Sequence, residues 1–188
     1  MFIAVREVLE YLFIFLQKIL KGSDVIMKNR SVDFVAKTAV VAALYAALTY
    51  AFSFMAYGPV QFRVSEILTF LAFLDPAFIP GLVLGCIVAN IISTVGPIDM
   101  IVGSGATLLA VYLMSKTKNL FIASLWPAII NGIFIGAMLY YVANLPFLYS
   151  VLWVALGEFV VVSLVGYPIF RYLIKKESHV LEVIKVKR

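Results

Sequence analysis

The sequence predicts an all-α integral membrane protein: six transmembrane helices in a compact bundle, preceded by an extra N-terminal amphipathic segment. Three observations predict it. The 188 residues are 64% hydrophobic and only 13% charged, whereas soluble domains run at about half and about a quarter. Mean hydropathy is +1.06. The apolar residues fall into long runs separated by short polar breaks, as spans require. The length suits one helical bundle with no second folded domain. The formal charge of +5 comes from basic residues in loops and tails, so it reports topology and no nucleic-acid partner is expected. The one cysteine, Cys86, sits in an apolar run and reads as a small buried hydrophobe. With a single histidine, His179, in the tail, neither an internal disulfide nor a metal site is expected.

Residues 1–26 are apolar but interrupted at helical spacing by Arg6, Glu7, Glu10 and Lys18. That pattern predicts an interfacial helix and not a span. Acidic residues stand where a signal peptide is basic, and no small-residue cleavage site follows. A second reading makes Met27 the physiological start, because Met27-Lys28-Asn29-Arg30 resembles a cytoplasmic leader. The six-helix domain is then 27–175, and 176–188 is a basic tail.

The first span is expected from Phe34 to Met55. It holds Ala39, Ala42, Ala43, Ala46 and Ala47, whose four-residue spacings leave flat faces for close helix packing. Packing inside the bundle and docking to a partner subunit both fit that spacing. A polar stretch, Tyr57 to Glu66, then interrupts the apolar runs. The second span begins near Val64 and ends at Leu74, where Asp75-Pro76 breaks the helix. It is short unless residues 61–63 are already helical. The third, from Phe78 to Ser93, carries a Gly81-x-x-x-Gly85 face and Asn90. Thr94 to Pro97 forms a turn. The fourth span runs from Ile98 to Met114. Asp99 lies in its first turn, where a plain helix-dipole role is one reading. The fifth runs from Leu120 to Val142 with Asn131 near its middle, and the sixth from Leu148 to Ile174 with Gly157-Glu158 inside.

An even number of spans puts both ends of the domain on one side. Lys28, Arg30, Lys37, Lys116, Lys118, Arg171, Lys175, Lys176, Lys185, Lys187 and Arg188 share that side, and Arg63 alone lies on the other. The positive-inside rule therefore makes both termini cytoplasmic and sets Arg63 outside. On this topology Gln61, Arg63, Glu66, Asn90, Asp99 and Glu158 fall in the outer half of the bundle, with Asn131 near mid-membrane. An ionised side chain at bilayer depth costs about 2.5–3.5 kcal/mol on insertion scales and needs a compensating partner. For Glu158 that partner is a polar ligand or Arg63. Arg63 and Glu66 can pair with each other at i, i+3 or contact a ligand. Trp126, Tyr140, Tyr141 and Tyr149 read as interfacial belt residues, as does Tyr57, which also adjoins the polar stretch.

No nucleophile elbow, zinc-protease helix or phosphate-binding loop is present in the sequence. An intramembrane enzyme using Glu66, Asp99 or Glu158 as acid–base groups would be a different class of function. A purely structural membrane protein, with its acids paired to Arg63, is another.

Several segments together resemble the QueT family. They are Tyr57-Gly58-Pro59-Val60-Gln61-Phe62-Arg63-Val64-Ser65-Glu66, then Ile79-Pro80-Gly81 with Gly85-Cys86 and Ala89-Asn90. Gly96-Pro97-Ile98-Asp99 with Gly103-Ser104 and 106–110 follow, and later Pro127 to Asn131 with Gly136, and Gly157-Glu158. The resemblance covers roughly residues 27–175; residues 1–26 depart from the family pattern. It implies a substrate-binding (S) component of an energy-coupling factor (ECF) importer for queuosine precursors. Such a component captures a 7-deazaguanine such as preQ1, preQ0 or queuine outside. It then docks on a transmembrane scaffold subunit that carries two ATPase subunits. No cofactor and no ATPase site of its own are implied. An S component for another vitamin-like molecule is the alternative. The docking face carried over is Ala39, Ala43 and Ala47, with Ala42 and Ala46 on the adjoining stripe. The substrate residues implied are Glu158, Asp99, Asn90, Glu66, Arg63, Gln61, Asn131 and Tyr57. An acid would accept from the guanine-like edge, Asp99 would meet a cationic 7-aminomethyl group, and Tyr57 or Phe62 would stack on the base.

Overall fold

The computed structural model describes residues 30–57 and 61–176. The expected interfacial helix over 1–26, the leader at 27–29, residues 58–60 and the tail beyond 176 lie outside the described residues. Within them every regular element is helical.

Helix α1 (Arg30–Ala51) stops at Phe52, short of the expected Met55, and the short α2 (Ser53–Ala56) follows. The break lets the chain double back, and the amide of Phe62 closes the loop by donating to the Met55 carbonyl at 3.0 Å. Residues 61–63 are not helical. A 3-10 segment, Val64–Thr69, then runs into α3 (Phe70–Leu74). Asp75 ends it and caps the next turn, its Oδ1 accepting from the Ala77 amide at 2.9 Å. A 3-10 turn (Pro76–Phe78), α4 (Ile79–Ala89) and a second 3-10 turn (Asn90–Ile92) follow. Gly96, at φ 76 and ψ −154, makes the reversal that Thr94 to Pro97 predict, in a region open essentially to glycine. Pro97 opens α5 (Pro97–Lys116), and Asn119 caps α6 (Leu120–Ala143) by accepting from the amides of Phe121 and Ile122. Asn144 closes α6 in the left-handed conformation.

The last rod is α7 (Phe147–Glu158), a π-helical stretch (Phe159–Gly166) and α8 (Tyr167–Lys176). The sequence alone predicts one uninterrupted span here. Pro168 has no N–H to offer one turn back, and the wide turns end beside it at Gly166.

Among the described residues, four helices are long and apolar enough to cross a membrane: Ser31–Ala51, Pro97–Lys116, Leu120–Ala143 and Phe147–Lys175. The expected second and third spans are the shorter apolar helices Val64–Leu74 and Pro76–Ile92. The Asp75-Pro76 break and the 3-10 turns divide them. Polarity is inverted relative to a soluble domain. Phe54, Ile91, Ile101, Tyr141 and Leu148 are exposed, while Arg63, Glu66, Asn90, Asp99, Asn131 and Glu158 are buried.

Glycines set the helix spacing. A Cβ at Gly81 would sit 2.8 Å from the Thr38 carbonyl oxygen, and one at Gly85 2.7 Å from Tyr45 Cβ. The expected Gly81/Gly85 face therefore seats α4 against α1. Gly132 and Gly136 bring α6 equally close to Val151 and Ala155 of α7. The alanines of α1 divide between two faces. Ala46 points inward and the Ala42 backbone abuts Gly85, whereas Ala39, Ala43 and Ala47 are exposed. Beneath the site, Phe70 stacks on Phe170 at 4.8 Å, within a core that includes Met114 and Val162.

Candidate functional site

The buried polar residues gather where the start of the Val64–Thr69 segment meets α1, α4, α5 and the α7 end. Arg63 is the last extended residue before the 3-10 turn, at φ −86 and ψ 90. The Arg63 and Glu66 side chains therefore do not share an α-helical face, and their i, i+3 pair does not form. Arg63 Nη2 instead lies 3.9 Å from Asp99 Oδ2 on α5. Its Nη1 contacts Cys86 Sγ at 3.8 Å. The Arg63–Glu158 ion pair weighed from the sequence is absent as well, because Asp99 holds the guanidinium.

Glu66 turns toward α1 and α5. Tyr45 donates to its Oε1 at 2.5 Å, and Thr107 donates to the same oxygen at 3.4 Å. Thr107 in turn lies 3.4 Å from Cys86 Sγ. Cys86 is buried, as its apolar run predicts, and its sulfur is the hub where Arg63, Thr107 and Asn90 converge. Asn90 donates from Nδ2 to the Asp99 carbonyl at 3.0 Å. Ser93 donates to Asp99 Oδ2 at 2.6 Å. Asp99 is thus tied to its neighbours across the turn, beyond a dipole role in the first turn. Gly103 makes this possible, since a Cβ there would lie 2.6 Å from Asp99 Oδ1 and 2.7 Å from Asn90 Nδ2.

Asn131 and Glu158 form the second part. Asn131 Nδ2 donates to Glu158 Oε1 at 3.0 Å, bridging α6 and α7. Toward an ionised Glu158, Asn131 presents its NH2 and leaves Oδ1 free. Glu158 is within electrostatic reach of both Glu66 and Arg63, so the two parts share one buried region. Gln61 is buried, and its backbone rests on Gly157, where any Cβ would overlap the Gln61 carbonyl. Tyr57 is half-buried at the rim. It donates its hydroxyl to the Ala89 carbonyl, and the Arg63 guanidinium lies over its ring at 5.7 Å. Burial pushes its phenol up from 10.0 to about 12. One face of the ring is therefore already stacked.

The polar atoms left over have a pattern. Glu66 Oε2, Glu158 Oε2, Asp99 Oδ1, Asn90 Oδ1, Asn131 Oδ1, Arg63 Nε and Nη2, and Ser104 Oγ are buried without a hydrogen bond in the protein. A buried polar group left unbonded costs about 1–3 kcal/mol. So dense a set of them marks this cluster as the candidate site. Tyr45, Thr107, Ser93 and Ser104 are not among the site residues expected from the sequence, although Ser104 and Thr107 lie in segments that carry the family resemblance. A Tyr or Thr in an apolar helix signals nothing special. Only their spacing hinted at a role: Asp99, Gly103 and Thr107 recur every four residues on one face of α5.

The family profile described as QueT transporter matches residues 35–175. The chain is 36% identical over 151 residues to the "Queuosine precursor transporter QueT" of Lactococcus lactis subsp. cremoris, covering 70% of this chain and 86% of that protein. No solved structure matches.

Proposed function

Because this chain belongs to the QueT transporter family, a multi-pass membrane transporter family, we propose that it binds a queuosine precursor for uptake across the cell membrane. It does so as the S component of an ECF importer, capturing a 7-deazaguanine on the outer face. ATPase subunits bound to a shared transmembrane scaffold supply the energy. The two shorter apolar helices occupy the second and third positions of a six-helix bundle in this reading, with both termini cytoplasmic by the distribution of basic residues.

One observation carries the assignment of the site. The buried polar set around Arg63, Glu66, Asp99, Asn131 and Glu158 retains unbonded acceptors and donors inside an otherwise apolar bundle. A guanine-like edge complements it. Glu66 or Glu158 accepts from N1–H and the exocyclic amine, as carboxylates accept from base amines elsewhere. Arg63, with Nε and Nη2 unbonded, is the donor for O6. Asn90 has both N–H groups engaged, on the Asp99 carbonyl and Cys86 Sγ, so it accepts from the ligand, whereas Asn131, with one N–H on Glu158, offers its Oδ1 and a second N–H. The exposed Ala39, Ala43 and Ala47 form the docking face for the scaffold.

The test is calorimetric and thermal-shift titration of the detergent-purified protein with queuine, 7-aminomethyl- and 7-cyano-7-deazaguanine, guanine and common vitamins. Saturable binding of a deazaguanine stabilises the fold by about 2.7 kcal/mol at a hundred times Kd. Glu158→Gln and Asp99→Asn weaken it. Stabilisation by a different vitamin alone would replace the substrate, and turnover by the isolated protein would replace the class. If both substitutions leave affinity unchanged, the site is elsewhere.

A further inference from the structure

The unbonded atoms of the site are unequal in kind, and their imbalance specifies the ligand's charge. Three carboxyl groups, Glu66, Asp99 and Glu158, are at most 2% exposed, and the one guanidinium among them, Arg63, is 3% exposed. Arg63 makes its ion pair with Asp99. Among the described residues no cation is paired with Glu66 or Glu158. Each of these two glutamates has one oxygen engaged and one free. Tyr45 and Thr107 hold Glu66 Oε1, and Asn131 holds Glu158 Oε1. Oε2 of each is buried and unbonded. A third, uncharged acceptor, Asn131 Oδ1, stands unbonded beside them on a residue 3% exposed. With its NH2 turned to Glu158, the free atom of Asn131 is the acceptor Oδ1. Two carboxylates in each other's field, with the one nearby guanidinium already paired to Asp99, disfavour being charged together unless a further positive charge comes between them.

We infer that Glu66 and Glu158 form a cation receptor: the site selects a ligand that carries a positive charge and several N–H donors over a neutral isostere. Tyr45, Thr107 and Asn131 are positioning residues that hold one oxygen of each acid and leave the other to the ligand. Arg63, held by Asp99, supplies a donor side and meets a ligand acceptor. This inference rests on the proposed transport of a deazaguanine and narrows it to precursors that are protonated on the 7-substituent.

The experiment compares 7-aminomethyl-7-deazaguanine with 7-cyano-7-deazaguanine by calorimetry on the full-length protein in detergent at neutral pH. The two share the ring and differ in charge at one position. The cationic compound binds about 10- to 100-fold tighter, the range that a hydrogen bond to a buried charged group supplies. In Glu66→Gln or Glu158→Gln, which keep the shape and remove the charge, that ratio falls to within about threefold because the cyano compound no longer faces an unmatched charge. Equal affinity of the two compounds for the unaltered protein overturns the inference and leaves the transport reading standing. A ratio that neither substitution reduces also overturns it, since the selection then lies elsewhere. Failure of both compounds to bind refutes the transport reading, and the inference with it.

Discussion

The Tyr45 hydroxyl donates to Glu66 Oε1 at 2.5 Å, joining the face of α1 opposite Ala43 to the deepest acid of the polar cluster. Tyr45 is fully buried, and its Cβ also sets the approach of Gly85. One residue thus links helix packing to the position of a buried carboxylate. Tyr45→Phe removes the hydroxyl and keeps the ring, so its effect reads the hydrogen bond alone. A hydrogen bond to a charged group is worth about 1.5–3 kcal/mol, and thermal unfolding in detergent is expected to show a loss of that order. The loss should shrink in a Glu66→Gln background, and a double-mutant cycle measures the coupling.

Gly103 and Gly105 make a matched pair on α5. A Cβ at Gly103 would crowd Asp99 and Asn90, whereas at Gly105 it would meet nothing within 4 Å. Gly105→Ala is expected to be neutral or to stabilise by up to about 1 kcal/mol through helix propensity. Gly103→Ala is expected to destabilise by about 1–3 kcal/mol through overpacking, and to weaken ligand binding by displacing Asp99. Equal melting temperatures for the two variants would contradict the contact between Gly103 and the acid.

The alanines of α1 should separate stability from partner docking. Ala43 is exposed, so Ala43→Leu is expected to leave the melting temperature and ligand affinity unchanged while abolishing co-purification with an ECF scaffold subunit. Ala46 is 6% exposed, and Ala46→Leu is expected to cost about 1–3 kcal/mol by overpacking the interior. Co-purification of Ala43→Leu at full yield would move the docking face elsewhere.

Tyr57 offers a spectroscopic handle at the rim. Burial raises its phenol from 10.0 to about 12. The folded chain therefore holds this proton more tightly than the unfolded chain. Its contribution is fully present below pH 10 and is lost as pH rises from about 10 to about 12. Tyrosinate absorbance should show a component near pH 12 that is lost in Tyr57→Phe. A component that titrates with the exposed tyrosines would mean that Tyr57 is not packed on Ala89 and Arg63.

Much of this protein is legible without its coordinates. Composition and the length of the apolar runs predict a helical membrane protein, because those signals are local and additive along the chain. The Gly81/Gly85 face and the Asp75-Pro76 break are visible for the same reason. The polar residues that gather in the structure, Arg63, Glu66, Asn90, Asp99, Asn131 and Glu158, also stand out, since charge and amide groups are conspicuous against an apolar background.

Pairing among them is a different matter. Spacing favours Arg63 with Glu66, and depth favours Arg63 with Glu158, yet the guanidinium meets Asp99. Tyr45 and Thr107 enter the site from helices whose sequences mark neither residue as special. The 3-10 path of residues 64–69 and the π-helical turns after Glu158 rotate side chains by amounts that a regular 100° step does not predict. Which partner each acid finds depends on how far each helix is turned about its axis and how closely glycines let neighbours approach. Those quantities come from contacts between residues far apart in the chain. Local signals along the chain therefore reveal the class of protein and the inventory of polar groups. Contacts between distant residues set which of those groups satisfy one another and which stay unbonded.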